Sequence, residues 1–381
     1  MTTGIDFALD EDQELLRTEI RRFAEERIRP GVAERDRNHE FPAEILAEMG
    51  EMGLLGMLVG EEYGGVGYDT LSYLLVIEEI AAACPATAVT MSVTNSVCCW
   101  PIVHFGSEEL KRRYLPPLAS GEALGGFGLT EPGAGSDAGA TRTTAVRDGG
   151  EWVLNGEKAW ITNAGVGQVF VVMARTGSGK KGISAFVVPA DAPGFAVGTP
   201  EEKLGIKASR TAPLYFTDCR VPASNLLGDE GQGFRIAMST LDHSRLGIAA
   251  QAVGIHRRAL ELAVAYARER VQFGVPIARH QAIQFKIADM ATDLAAARAL
   301  THHAALGEGR PGAGRLASQA KVYAAEAANR ACWEAVQIHG GNGFCEDYEV
   351  ARLYRDVRVT TIYEGTSEMQ RLVISRHLLR G

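Results

Sequence analysis

With 381 residues, 46% of them hydrophobic and 23% charged, the chain is too long for one simple core and large enough for two or three well-buried domains. Its formal net charge of -8, without a Lys/Arg-rich tract, argues against a general nucleic-acid binder. Residues 1–12 carry no charged-plus-apolar signal pattern and the sequence shows no run of about 18 apolar residues, so neither secretion nor membrane insertion is expected; the expected location is cytoplasmic, or an organelle matrix once a leader is removed.

Residues 10–29 open with a helical pattern: acidic side chains first, then Leu15, Leu16, Ile20, Phe23 and Ile28 at helical spacing, and arginines before Pro30. Further helices are predicted at about 42–52, 70–83, 85–105 and 107–119, which makes residues 1–120 an all-helical unit. From 121 to 230 glycines multiply and short β-type runs appear at 152–154, 170–174, 182–188 and 214–216, with Asn155-Gly156 as a hairpin signal. A middle antiparallel β-domain, sandwich or barrel, is predicted there. Inside it, Leu129 to Asp137 reads LTEPGAGSD, where Pro132, Gly133 and Gly135 force a tight loop. Its exposed amides and the Ser136 hydroxyl suit an anionic or carbonyl oxygen, although a plain turn uses the same residues. Trp160, taken alone, reads as a core aromatic of a strand.

After Gly233 the helical period returns in long alanine-rich segments at about 233–270, 278–307 and 313–339. Small residues at that density suit helices packed closely along their length, so residues 231–381 are predicted to form an antiparallel four-helix bundle that also carries a subunit interface. Asp242 and Arg245 stand three apart and suit an intrahelical pair; Arg270 and Gln281 read on their own as solvated positions. The fold class is therefore α+β and multidomain: helices, β-domain, helices.

The six cysteines, Cys84, Cys98, Cys99, Cys219, Cys332 and Cys345, show no C-x-x-C pair and no zinc spacing, and read as reduced thiols. H-E-x-x-H, G-x-x-x-x-G-K-[ST] and G-x-S-x-G are all absent, against zinc-protease, P-loop and hydrolase readings. Near the C-terminus, Ile362-Tyr363-Glu364-Gly365-Thr366-Ser367-Glu368 offers one carboxylate beside apolar side chains, just before a helix. Apolar neighbours raise a carboxylate's pKa, which suits a general base for a weakly acidic carbon proton. Gly365 permits a sharp turn, and Thr366 or Ser367 can cap the helix, Gln370 completing a capping box with Ser367. Glu364 would also serve as mere decoration of that helix N-terminus, where negative charge is favoured.

Read together, LTEPGAGSD, Trp160-Ile161-Thr162-Asn163, Gln337 to Gly343 (QIHGGNG) and Tyr363-Glu364-Gly365-Thr366, in this order with Arg270 and Phe273-Gly274 between them, resemble the acyl-CoA dehydrogenase family. The resemblance runs from Asp10 to Leu379 and is closest, over Tyr363 to Ile374, to the short-chain (butyryl-CoA) members. It implies FAD as cofactor, with Phe127, Leu129, Thr130, Gly135, Ser136, Trp160, Thr162, Thr366 and Glu368 around the flavin. It also implies that Arg270, Phe273 and Gln281 reach the pyrophosphate and adenosine side from a neighbouring subunit, opposite Gln337, Gly340 and Gly341. Ser136, Asp242, Arg245, Tyr363 and Gly365 match substrate-side positions, and Thr90, Val93, Thr94 and Val97 match an acyl pocket whose two valines lean towards a short chain. The reaction implied is removal of the α-proton of an acyl-CoA by Glu364 with hydride transfer to flavin N5, giving trans-2-enoyl-CoA. Electron-transfer flavoprotein is the implied acceptor and a homotetramer the implied assembly. The rival readings are an acyl-CoA oxidase or flavin monooxygenase on the same scaffold, and a non-catalytic FAD-binding assembly protein. His339 departs from the motif, which more often has an apolar residue there.

Overall fold

The computed structural model describes residues 9–379; residues 1–8 and 380–381, counted above with the outer domains, lie outside that range. The chain opens with α1 (Glu11–Phe23), begun by a capping box in which Asp10 accepts from the Gln13 N–H at 2.8 Å and Gln13 returns the bond at 3.3 Å. Next come α2 (Val32–Asn38), α3 (Ala43–Glu51) and α4 (Thr70–Ala83), the last capped by Asp69. A continuous helical run follows as α5 (Pro85–Val93), a π turn (Thr94–Cys99) and α6 (Trp100–Phe105), then α7 (Glu108–Ser120). The stretch Pro85–Phe105 is, against the expectation from sequence, long and apolar enough by composition to cross a membrane. In the fold 89% of its apolar window is buried, so its side chains meet the core of this protein.

The middle of the chain supplies one sheet: β1 (Gly125–Gly128), β2 (Thr144–Asp148), β3 (Glu151–Thr162), β4 (Val169–Arg175), β5 (Ile183–Pro189), β6 (Phe195–Val197), β7 (Thr211–Pro222) and β8 (Leu226–Leu227). The order is β6-β7-β3-β2-β4-β5-β8, with β1 added beside β4. The expected antiparallel pattern holds except that β1 runs parallel to β4, and β2 meets β4 in parallel at Thr144 and Arg175. β1 is the seam to the N-terminal helices: a Cβ on Gly125 would lie 2.4 Å from the Cys98 Cβ, so the helix can approach only because the strand is nearly bare.

The hairpin expected at Asn155-Gly156 is not there. Both residues lie inside β3, at a register shift against β7, and the β2–β3 turn is made by Gly149-Gly150. The Asn155 side chain bonds across to Asp218, donating to its carboxylate at 3.1 Å and accepting from its N–H at 2.8 Å. A residue pair suited to a tight turn is thus used to kink a long strand.

The C-terminal part holds α8 (Gly233–Glu269), a small hairpin of β9 (Val271–Gln272) and β10 (Val275–Pro276), α9 (Gln281–Leu306), α10 (Ala313–His339), α11 (Glu349–Val357) and α12 (Ser367–Leu379). Ala317, Ala320, Ala324, Ala328, Ala331 and Ala335 are all buried along α10, and Ala249, Ala252, Ala259 and Ala263 along α8, which is how the two axes run close together. α4 also crosses α8 closely, where a Cβ on Gly254 would sit 2.3 Å from the Glu78 carbonyl oxygen. Gly254→Val is therefore expected to lower unfolding free energy by about 1–3 kcal/mol through overpacking, measured by urea or thermal unfolding. Charge ties the same elements: Glu78 accepts from Arg298 at 2.6 Å, and Glu79 accepts from Arg21 at 2.8 Å and Arg257 at 2.6 Å.

Candidate active site

The segment between α11 and α12 ends in two successive left-handed residues, Glu364 at φ 55 and Gly365 at φ 91. A glutamate in that region costs about 1–2 kcal/mol against an ordinary conformation, so something must hold it. Three side chains do, through four hydrogen bonds. Gln370 donates to the carbonyls of Glu364 (3.2 Å) and Gly365 (2.9 Å), Lys321 of α10 donates to the Gly365 carbonyl at 2.7 Å, and Arg245 of α8 donates to that of Glu364 at 3.4 Å. Thr366 caps α12 by accepting from the Met369 N–H at 3.3 Å. The expected box between Ser367 and Gln370 does not form, because Thr366 takes the cap position and the Gln370 Nε2 donates to the turn.

So arranged, the Glu364 carboxylate accepts a bond from the Ser244 hydroxyl of α8, and its own N–H has no acceptor among the described residues. Burial holds the carboxyl above its ordinary pKa, and the Ser244 bond with the positive fields of Arg245, Lys321 and His243 only partly restores its acidity. Tyr363 donates to Gln251 of α8, which fixes the residue before the turn. Arg245, 5% exposed, also binds Asp242 as the expected intrahelical pair and reaches Ser318 at 3.4 Å. Ser244, Gln251 and Lys321 were not among the residues singled out from sequence, and Gln370 was expected only as a helix cap. A lone lysine in the alanine run of α10 was the one available signal.

The pocket candidates Thr90, Val93, Thr94 and Val97 are buried on α5 and the π turn after it. The Thr94 hydroxyl accepts from the Gly125 N–H at 3.3 Å, and Asn163 donates to the carbonyls of Thr90 (3.3 Å) and Gly125 (2.8 Å), so these residues line the seam between helix and sheet.

The LTEPGAGSD loop is pinned to β3. Thr130 accepts from the Ala159 N–H at 2.9 Å. Below it the fully buried Lys158 donates to Glu131 at 2.7 Å and to the Leu129 carbonyl at 3.3 Å, while Glu131 also accepts from the N–H groups of Arg142 (2.7 Å) and Thr143 (3.0 Å). Gly135 and Ser136 face outward, and a Cβ at Gly133 or Gly135 would touch nothing within 4 Å. Trp160 is not the core aromatic its strand position suggests: a second register shift between Lys158 and Ile161 turns it out at φ 62, leaving it 62% exposed. Phe127 on β1 and Thr162 at the end of β3 are half-buried, and Leu129 is buried. Trp160→Ala is expected to leave the unfolding free energy of the flavin-free protein within about 0.5 kcal/mol of wild type, as for an exposed side chain, while lowering flavin retention through gel filtration.

A separate group lies at the far end of α8. Arg270 is exposed and makes no salt bridge among the described residues; Phe273, at φ 53 in the β9–β10 hairpin, is 94% exposed, and Gln281 is exposed at the start of α9. Gln337, Gly340 and Gly341 are exposed at the end of α10, with open space where either glycine would carry a Cβ. His339 faces inward, stacked on Tyr266 at 4.2 Å with its Nδ1 on the Ala335 carbonyl at 2.7 Å, so this departure from the motif is a packing residue. Thr366 is half-buried and Glu368 exposed on α12.

Comparison with known proteins matches three family domain models in succession: "Acyl-CoA dehydrogenase, N-terminal domain" over residues 10–122, the "middle domain" over 126–219 and the "C-terminal domain" over 231–379. The mouse mitochondrial short-chain specific acyl-CoA dehydrogenase is 50% identical over 376 residues, 98% of this chain and 91% of that one. The solved butyryl-CoA dehydrogenase of Megasphaera elsdenii superposes with a TM-score of 0.96 at 44% identity, covering 99% of this chain and 100% of the other. A chain in a structure described as the electron transferring flavoprotein of Acidaminococcus fermentans gives a TM-score of 0.97 at 48% identity, covering 99% and 100%.

Proposed function

The chain belongs to the acyl-CoA dehydrogenase family, and from that premise we propose that Glu364 is the base that takes the α-proton of a short-chain acyl-CoA. The enzyme carries out FAD-dependent α,β-dehydrogenation of the thioester to the trans-2-enoyl-CoA. Bound FAD supplies the acceptor for the hydride that leaves the β-carbon. The observation that carries the assignment is the Glu364 turn itself: a carboxylate raised in pKa by burial, aimed by the Ser244 hydroxyl, with an unpartnered N–H beside it. The α-proton becomes acidic only if negative charge building on the thioester oxygen meets donors already in place, and the free Glu364 N–H is such a donor.

The residues present fit the cofactor. A large outward-facing indole at Trp160, the Thr162 and Ser136 hydroxyls and the open Gly133-Gly135 loop form a surface suited to a flat, polar-edged ring. Arg270, without a carboxylate partner, suits a pyrophosphate bidentately, and the open glycines at 340 and 341 let a nucleotide approach the backbone. We assign Phe127, Leu129, Thr130, Thr366 and Glu368 to the flavin side, and Phe273, Gln281 and Gln337 to the adenosine side. Arg270 and Phe273 would serve a neighbouring subunit's cofactor, and Phe273 at 94% and Phe344 at 87% exposure supply apolar surface for that neighbour, in a homotetramer. On the substrate side we place Ser136, Asp242, Arg245, Tyr363 and Gly365, with Thr90, Val93, Thr94 and Val97 closing the acyl end. The proposed acceptor is electron-transfer flavoprotein and the proposed location the cytoplasm, in line with the bacterial relatives.

Anaerobic mixing of the purified yellow protein with butyryl-CoA tests this reading. Rapid bleaching followed by slow recolouring in air is expected; rapid recolouring with oxygen uptake identifies an oxidase, and no bleaching by any acyl-CoA overturns the assignment.

A further inference from the structure

We propose that Lys321 is a positioning residue for the base: its buried ammonium holds the Gly365 carbonyl and keeps the Glu364 carboxylate ionised. The inference rests on the assignment of Glu364 above. Lys321 lies in the most alanine-rich part of α10, between the buried Ala317, Ala320, Ala324 and Ala325, and has no exposed surface. Among the described residues its side chain makes one hydrogen bond, to the Gly365 carbonyl at 2.7 Å, and no carboxylate lies within salt-bridge distance of it. A cation buried against a single neutral acceptor is unfavourable, and a methionine would fill the same space without that cost. What offsets it is the field of the turn it holds. The titratable groups facing the pair are Arg245 and His243 from α8, Glu368 from α12, Glu326 from α10 itself, and the hydroxyls of Tyr73 on α4 and Tyr363 beside the turn, and Glu364 is the strongest attraction on Lys321. Burial pushes the Lys321 ammonium down to about 8, so it remains a cation through the neutral range in which a base must be ionised.

The sign follows directly. Lys321 lowers the pKa of Glu364, so removing its charge raises that pKa further and moves the acid limb of the reaction upward. Lys321→Met and Lys321→Gln are compared with wild type and Lys321→Arg, all as flavin-loaded proteins, by the anaerobic bleaching rate with butyryl-CoA from pH 5.5 to 9.5. Infrared titration of 13C-carboxylate-labelled protein, with Glu364→Gln as the assignment control, reads the Glu364 carboxyl separately from turnover. The expected result is an acid limb displaced upward by about one pH unit in the Met and Gln variants, a loss of about tenfold on the acid side of that limb, recovered above about pH 8, where wild-type Lys321 also loses its proton. Lys321→Arg is expected to keep the wild-type limb, and Lys321→Gln, which retains a donor to the Gly365 carbonyl, separates charge from hydrogen bond. An unchanged Glu364 titration, or a loss equal at every pH, makes Lys321 a structural pin only and overturns the proposal. Should Lys321→Met not fold, the Gln and Arg variants decide. If Glu364→Gln bleaches at the wild-type rate, the base assignment itself fails, an outcome distinct from failure of the Lys321 proposal.

Discussion

Glu364→Gln is expected to keep its flavin and its fold and to lose at least about a hundredfold in the rate of flavin bleaching by butyryl-CoA, the lower range for a positioned general base. The amide is nearly isosteric with the carboxylate and can still accept the Ser244 bond, and Lys321, Arg245 and Gln370 hold backbone carbonyls that the substitution leaves alone. Stability gives an internal control. The folded pKa of Glu364 is raised, so the group favours the folded state below the ordinary carboxylate range and loses that contribution as pH rises through the raised value. At pH 7, above the ordinary carboxylate range, burying this carboxyl is a net cost to the fold, and the variant is expected to unfold at the same temperature as wild type or higher. A rate loss with lowered stability and lost flavin points instead to a structural role for the side chain.

The largest loss of stability is expected from Glu131→Ala. It strands the fully buried Lys158 ammonium and removes the acceptor for two backbone N–H groups, and breaking one side of a buried pair costs about 3–5 kcal/mol. Burial already pushes the Lys158 ammonium down to about 8, against an ordinary value of 10.5. A lysine depressed in the folded state gains stability as pH rises between those values, because there the unfolded chain binds more protons. Without Glu131 the folded-state Lys158 value falls further, so the defect of Glu131→Ala is largest on the acid side, shrinks as pH rises towards about 8 and is level above it. Urea unfolding at pH 6, pH 8 and pH 9.5 checks this. The double variant Glu131→Leu/Lys158→Met is expected to be more stable than Glu131→Ala alone, since it leaves no charge buried without a partner. Because the same pair anchors the LTEPGAGSD loop, flavin retention should fall with Glu131→Ala and largely return in the double variant.

The order of helices, sheet and helices was legible because it rests on local signals: period, breakers and the run of alanines. Asn155-Gly156 misled because the same backbone freedom serves a tight turn and a bulge, and only the pairing of β3 with β7 tells them apart. Trp160 misled for the same reason, since a register shift two residues on reverses the face a strand residue occupies. Glu364 was readable from its immediate neighbours, but the groups that aim it were not. Ser244 is 120 residues away in the chain and Lys321 is 44 from the Gly365 carbonyl it holds, so their roles exist only once α8 and α10 have packed around the turn. Glycines at 340 and 341 were readable as open backbone, whereas the inward turn of His339 depends on Tyr266, which belongs to α8.

The role of Glu364 is tested most directly by α-proton exchange with a thioester that cannot be oxidised, such as an acyl-CoA with sulfur in place of the β-carbon, in deuterated water. The flavin-loaded wild type is expected to wash deuterium into the α-position, and Glu364→Gln, with equal flavin content, is expected to do so at least about a hundredfold more slowly. Exchange at the wild-type rate in the variant would place the base elsewhere and contradict the account.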